Sequence, residues 1–504
     1  MLLLTAVACL LNTVVAAGGL QSCLHTRLSP ASTLVSPSSA EYPNATVSNN
    51  LSWQYFASAV VFVGSAEDAA IAVKCAAASK IPVTPRGGRH SYASFGSGGR
   101  NGSFVVDVTR LQSFSYDPKT TYATVGAGFR LGNLALALDA HGRATPHGTC
   151  TFVGIGGHAT CGGYGLTSRL WGLLVDQIVR VTAVTAAGDV VEASPSKHSD
   201  LLWAISGAAP SFAVVLSFTI RTYPQPASTS YFDFDFGNFS DTPSLAVKAL
   251  LAFQSFAATS APPELGTQFT VGRSAGGTLG LRLSGVYYGV ETAIPTVIQP
   301  LLDAIPFSPI SNTSKLQGYM ASVAFLGGDD PVNTTGRVES PNTAYEKSII
   351  VPTSAPLSEE TWTKFVEFAF NTPVPPGISS YYWQIDAFGG SYRGKRTAMA
   401  AFPSDANAFG GRDGLLLMQH GTYSDTSGSY PAGGHAFANS FAGTITETVR
   451  TEGKKIEAYQ CYVDPLLSAD EAHALYFGHE KTHKLKALKH KWDPARVFDY
   501  PHAF

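Results

Sequence analysis

Residues 66–79 place small and apolar side chains at helical spacing behind Ser65, with Glu67 and Asp68 in the first turn, so the pattern predicts a helix capped by Ser65. The run Ile81-Pro-Val-Thr-Pro predicts a strand entering a tight loop, Arg86-Gly87-Gly88-Arg89-His90-Ser91-Tyr92. Residues 104–108 and 122–126 read as strands and 131–141 as a short helix. Residues 178–186 and 190–192 read as two strands turning at Ala187-Gly188-Asp189, and 211–223 as another strand. After Pro224-Gln-Pro the character changes. Residues 231–236 alternate Phe232, Phe234 and Phe236 with Tyr231, Asp233 and Asp235 as a half-buried antiparallel strand does, and 244–258 reads as an amphipathic helix. Further strands are predicted at 267–272, 281–287, 381–388 and 415–420, with helices at 292–303 and 359–370. The tail, 468–491, predicts one helix stopped by Trp492-Asp-Pro. There is no internal repeat.

The pattern therefore describes an α+β chain whose second half is a broad antiparallel sheet backed by helices, with a domain boundary near residue 224. A length of 504 residues suits two domains. Charged residues are only 14% of the chain and the formal net charge is −2, so no basic face is available for nucleic acid. Residues 1–17 are apolar and end in small residues, which predicts a cleaved secretory signal. No later apolar run reaches the roughly 18–20 residues that span a bilayer, so no membrane association is expected. Asn44, Asn50, Asn101, Asn238, Asn312 and Asn333 each begin an N-x-S/T acceptor and predict exposed, glycosylated loops on a secreted, extracellular protein. Removing Cys9 with the signal leaves Cys23, Cys75, Cys150, Cys161 and Cys461, an odd set that requires one thiol with a separate use.

Candidate chemistry concentrates in Pro146 to Gly165, a stretch holding Cys150, His147 and His158, with five glycines between Gly156 and Gly165. Glycines let backbone amides approach a ligand closely, and such loops bind anions or a flat cofactor. Alone, the stretch also accommodates a surface loop with an incidental thiol. A second histidine-bearing loop, around His90, lies sixty residues earlier.

Taken in order, RxGGHSY (with one departure), GTCxxVGxGGHxxxGGYG, WQxDxFGG, YxxYxD and KxxWDPxxVF, running from Cys23 to Phe498, resemble the berberine-bridge-enzyme-like FAD-linked oxidases of the vanillyl-alcohol-oxidase superfamily. Within that family the chain is most similar to fungal gluco- and chitooligosaccharide oxidases. The resemblance implies a two-domain fold: an FAD-binding domain from 23–224 and 455–504, and a substrate domain from 225–454. It implies FAD linked covalently to His90 and Cys150, contacted by Arg86, Gly88, Ser91, Val153, Gly157, His158, Gly162, Gly163 and Tyr164. Electron-withdrawing links should make the flavin a stronger oxidant, the chemistry remaining the cofactor's own. Cys23 and Cys75 match a disulfide of the sugar-oxidising members. Tyr462 and Asp386 match the catalytic base and its activator, and Tyr92, Gln268, Thr270, Tyr382, Gln384 and Gln419 match substrate-contacting positions. No metal is implied.

The reaction so implied is oxidation of the anomeric hydroxyl of a reducing-end oligosaccharide to the lactone, with oxygen reduced to hydrogen peroxide, by a monomer. Gln268, where glucooligosaccharide-type members carry Arg, favours chitooligosaccharides, because an amide can pair with a 2-acetamido group without burying an unmatched charge. Val153 matches an oxygen gate that valine leaves open, which favours an oxidase over a dehydrogenase passing electrons to quinones or other acceptors. Three features depart from the family: Arg89 replaces a glycine of RxGGH, Ser206-Gly-Ala-Ala-Pro-Ser211 replaces an RGGGGG run, and Cys161 and Cys461 replace a glycine and an asparagine. The last pair meets at the flavin, so a Cys161–Cys461 disulfide is a specific expectation. The departures also motivate a glycan-binding flavoprotein without turnover, and the shared fold leaves room for alkaloid or phenolic alcohols.

Overall fold

The structure, a computed structural model, describes residues 18–238, 242–273, 279–425 and 429–504. The expected signal, with Cys9, and the side chain of Asn238 lie outside the described residues.

The helix Ala66–Ala78 forms where the pattern placed it. The Ser65 hydroxyl accepts the Asp68 amide at 3.1 Å, satisfying an otherwise orphaned donor of the first turn. This helix packs on a four-stranded sheet ordered Thr33–Val35, Ala59–Phe62, Phe104–Asp107, Val83–Arg86, whose last three strands run parallel. Those strands are buried almost throughout, as parallel strands between covered faces are. A five-stranded antiparallel sheet follows, ordered Phe114–Asp117, Tyr122–Gly126, Ala213–Arg221, Ile178–Thr185, Val190–Ala193. Both sheets feed one core, which the end of the chain completes through Leu485, Val497, Phe498 and Phe504. The disulfide Cys23–Cys75, with Cα atoms 5.8 Å apart, ties the start of the chain to the capped helix.

From Thr229 onward the chain builds a seven-stranded antiparallel sheet: Ser311–Gln317, Thr229–Asn238, Leu279–Tyr287, Leu265–Arg273, Ile378–Ala387, Gly414–Ser424, Ala344–Pro352. Alternation decides its two faces. Tyr381, Trp383 and Ile385 pack with Met418 beneath the helices Pro243–Thr259, Glu359–Asn371 and Ala432–Thr451, forming a second core. Tyr382, Gln384 and Asp386 face the other way, toward the first core.

Buried polar ties close the seam between the two bodies. Arg412 meets Asp176 at 2.6 Å with both side chains almost fully buried, and Asn407 completes the pair. Arg169, 1% exposed, donates to the carbonyls of Ala257, Ala261 and Gly389. Breaking such a pair on one side leaves an uncompensated buried charge, so these ties fix the geometry of the seam.

Three expectations are corrected. The tail is two helices, Ala469–Tyr476 and Gly478–Trp492, because Gly478 takes φ +70°, a left-handed conformation that ends the first helix. The glycine run after Cys150 is not a loop at its start. Residues Ile155–Cys161 form a helix, and the chain turns only at Gly162 and Gly163, φ +136° and +75°. Asn50, expected to carry a glycan, is fully buried: its amide nitrogen donates to the carbonyls of Tyr92 and Ala344, and its oxygen accepts from the amides of Ser52 and Ala344. Asn44, Asn101, Asn312 and Asn333 are exposed.

Candidate active site

The two histidine- and cysteine-bearing loops meet. His90 Nε2 lies 3.6 Å from Cys150 Sγ, and Cys150 is the one free thiol among the described residues. What brings them together is the contact of Gly88 with Gly154, so close that a Cβ on Gly88 would stand 2.4 Å from the Gly154 nitrogen. His158 is held within its own loop. Its Nε2 accepts the Gly148 amide at 2.9 Å, and burial holds it neutral with a pKa of about 3, so it braces the Cys150 turn. Ser91 likewise accepts the Phe95 amide within its loop.

Arg89, the departure from RxGGH, sits at φ +64°, which explains why glycine suits that position. Its side chain leads away from His90: it donates to the Asn44 carbonyl at 2.9 Å, reaches Asp107 at 3.8 Å and lies over the Phe62 ring. The altered run at 206–211 makes a buried elbow, with Gly207 against Ala408 and Phe409 and its carbonyl held by Gln460.

A third segment, absent from the expectations, closes the site. Glu339 Oε1 sits 3.1 Å from His90 Nε2, and Asp330 Oδ2 lies 3.7 Å from Cys150 Sγ. Burial opposes charge on His90, but Cys150 and Glu339 outweigh it and hold the ring protonated up to about 10. A ring nitrogen of His90, the Cys150 sulfur and a Glu339 oxygen fall within 4.8 Å of one another, a spacing a divalent ion could use. Beside them, however, opens a cavity of about 470 Å³ lined by Phe152, Asp330, Pro331, Arg337 and Glu339, which leaves space for an organic group rather than a closed ligand shell. Arg86 gives Nε to Asp107 at 2.7 Å and keeps two buried terminal nitrogens without a protein partner. Paired linking residues, a glycine-lined close approach, the cavity and the unsatisfied guanidinium fit a flat cofactor with an anionic tail, as FAD is.

The open sheet face supplies the rest. In register, Gln268 stands opposite Asp386, Thr270 opposite Gln384, Gln384 opposite Gln419 and Tyr382 opposite Gly421, so all the expected substrate residues on the sheet share one surface. Gln419 donates to the Tyr92 hydroxyl at 3.1 Å, joining this surface to the His90 loop, and Tyr92 packs on Tyr462 with ring centres 5.8 Å apart. Burial lifts the Asp386 carboxyl to about 7, and Gln384 Nε2 donates to it at 3.0 Å. Among the described residues no hydrogen bond joins Asp386 to Tyr462; the carboxyl acts on the phenol through its charge. The Tyr164 hydroxyl lies next to the carboxylate and lowers its pKa, without closing to a hydrogen bond of ordinary geometry. Burial first, and Asp386 second, raise the Tyr462 phenol well above its ordinary value.

Tyr462 ends a turn in which its amide donates to the Tyr459 carbonyl at 2.9 Å, and the Tyr459 hydroxyl accepts the Tyr164 amide at 2.8 Å. Cys161 and Cys461 are bonded, Cα atoms 5.1 Å apart, so the specific disulfide expectation is met. Glu346 was missed. It is fully buried on the same surface, accepts from Tyr423 at 2.7 Å and Gln419 at 3.2 Å, and burial pushes it up to about 8. Strict alternation along Ala344–Pro352 could have found it, but Ile349-Ile350-Val351 blurs the period and Glu346-Lys347 reads as a surface turn.

Comparison with known proteins agrees with this geometry. Residues 57–194 match the FAD binding domain family and residues 455–503 match the berberine and berberine-like family. The carbohydrate oxidase of Microdochium nivale is 32% identical over 98% of this chain and 96% of its own. A solved chitooligosaccharide oxidase superposes with a TM-score of 0.87 at 28% identity, covering 96% of this chain and 99% of that one. A glucooligosaccharide oxidase from Acremonium strictum, described with a 6-S-cysteinyl, 8α-N1-histidyl FAD, does so at 0.87 and 29% identity over 96% and 98%. An α+β fold with its FAD-binding body, the paired His90 and Cys150, and relatedness over nearly the whole chain make this an FAD-dependent oxidoreductase belonging to the berberine-bridge-enzyme-like family.

Proposed function

We propose that the protein is a secreted, monomeric oxidase that converts the reducing-end anomeric hydroxyl of an oligosaccharide to the lactone, with FAD attached at His90 and Cys150. The observation that carries this reading is the single sheet face on which Asp386, Gln384, Gln419, Gln268 and Tyr382 gather opposite Tyr462 and Tyr92, beside the two linking residues. FAD, when bound there, accepts the hydrogen and two electrons of the anomeric C–H, and dioxygen then takes two electrons and two protons to give hydrogen peroxide.

The chain's own task is to hold the sugar and remove the O–H proton. Tyr382 offers a stacking face and the glutamines offer paired donors and acceptors for hydroxyls. A phenol raised above its ordinary value does not ionise at neutral pH by itself, so Tyr462 takes the substrate proton only as its own moves on. Asp386, at about 7, is the group poised to receive it. Gln268, directly across from Asp386, places a neutral amide near the reacting sugar and supports a preference for 2-acetamido sugars. Val153, three residues after Cys150, supports access of oxygen. Export is supported by four exposed acceptor asparagines and two disulfides.

Anaerobic mixing with cello-, xylo- and chito-oligosaccharides, followed by flavin absorbance, tests the reading. Flavin bleaching fastest with chito-oligosaccharides, then peroxide on readmitting air, is expected. Dye reduction without peroxide would instead make it a dehydrogenase. Because Asp386 must be ionised to accept a proton, turnover should climb as pH rises through about 7 and then level. Asp386→Asn should keep bound flavin, lose roughly 10²–10⁴-fold in rate, and lose that rise.

A further inference from the structure

The loop carrying Asp330 and Glu339 belongs to neither the expected cofactor motifs nor the substrate face, yet both of its acids reach the two residues assigned to the flavin. Each acid selects one of them: Glu339 meets the His90 ring and Asp330 meets the Cys150 sulfur. The His90 contacts fall on Nε2. Once the protonated ring gives up one proton, a carboxylate accepting Nε2–H keeps the remaining one there, so that Nδ1 carries the free lone pair and is strengthened as a nucleophile. A sulfur becomes a competent nucleophile only as thiolate, so it needs an acceptor for its proton. Both acids also line the 470 Å³ cavity, so each stands between open space and the nucleophile it touches.

We propose that Glu339 and Asp330 are the proton acceptors for covalent attachment of the cofactor, Glu339 for the bond at His90 Nδ1 and Asp330 for the bond at Cys150 Sγ. This rests on the reading that His90 and Cys150 carry FAD. Each attachment replaces one N–H or S–H of the protein and one C–H of the cofactor by a single N–C or S–C bond. The two protons and two electrons released in each case reduce one dioxygen to hydrogen peroxide, so the step needs dioxygen as its oxidant. Burial raises the Asp330 carboxyl, with Glu339 adding to the shift, which makes Asp330 a better acceptor than an exposed aspartate.

The full-length protein, purified and then incubated aerobically with FAD, is denatured and digested, and the flavin-bearing fraction of the His90 and Cys150 peptides is followed in time by mass spectrometry and flavin fluorescence. Glu339→Gln should slow formation of the His90 link roughly 10²-fold while the Cys150 link forms normally, and Asp330→Asn should do the reverse. Raising the pH should recover the His90 link in Glu339→Gln, and Glu339→Asp, which keeps a carboxylate, should retain most of it. These recoveries separate lost proton transfer from a folding defect. Normal linkage rates in both variants, equal loss of both links in either, or stoichiometric zinc in the flavin-free protein overturn the proposal. His90→Ala and Cys150→Ala stand apart as controls. If flavin stays at full occupancy on both peptides' counterparts, the attachment reading itself fails, whatever the acids do.

Discussion

Asn50 spends all its hydrogen-bonding capacity on four backbone groups, two of them on Ala344 at the edge strand and one on Tyr92 in the site. A single buried amide therefore holds the His90 loop to the seven-stranded sheet. Asn50→Ala strands several buried donors and acceptors and should cost about 2–4 kcal/mol in chemical denaturation, with a rise in KM because Tyr92 loosens. For the same reason glycopeptide mapping of the protein expressed in a secretory eukaryotic host should find sugar at exposed Asn44, Asn101, Asn312 or Asn333 and none at Asn50. A local acceptor motif says nothing about burial three hundred residues away, which is why Asn50 looked like its neighbour Asn44. Arg89 shows the opposite case. A residue that looked disruptive beside His90 turns aside because its backbone is left-handed and Asp107 and Asn44 receive its charge.

Elements with local signals were legible: the Ser65 cap, the alternation at residues 231–236 and the strands bearing Asp386 and Gln419 all form as expected. Elements whose reasons are long-range were not. Ser311–Gln317 is an exposed, polar edge strand without an apolar face to read, and Ala344–Pro352 hides its acid within a mixed run. The 330–339 loop has no signal of its own; only contact with His90 and Cys150 gives its acids a role. The short helix Ile155–Cys161 and the turn Tyr459–Tyr462 gain a constraint that neither supplies alone, the disulfide Cys161–Cys461 across 300 residues. Its replacement by the family's own pair, Cys161→Gly with Cys461→Asn, should lower stability by about 2–5 kcal/mol. If the crosslink also positions Tyr462, kcat should fall with KM little changed, whereas a purely structural staple leaves kcat intact below the new melting temperature. Peptide mapping without reductant should first show the bond.

Across the whole molecule the seam between the two bodies gathers buried carboxyls in a protein otherwise poor in charge. Glu346 lies within electrostatic reach of His90 and of Tyr92, Tyr382, Tyr423, Tyr430 and Tyr462, and burial raises it from an ordinary 4.5 to about 8. Asp386 is raised to about 7 in the same way. For an acid raised by folding, the unfolded chain has already released the proton between its ordinary value and the raised one, while the folded chain still holds it. What these two acids contribute to stability is then full below about pH 4 and declines as pH rises, levelling only above about 8. The direction opposes that of a salt-bridged acid, which weakens on acidification. Glu346→Gln, which keeps the size and a hydrogen-bonding head without a titrating proton, should remove a share of this decline on the order of a few kcal/mol. Melting curves of the two proteins between pH 4.5 and 8 provide the check: the variant should lose less stability with rising pH, and parallel curves would mean that Glu346 ionises freely in the folded state.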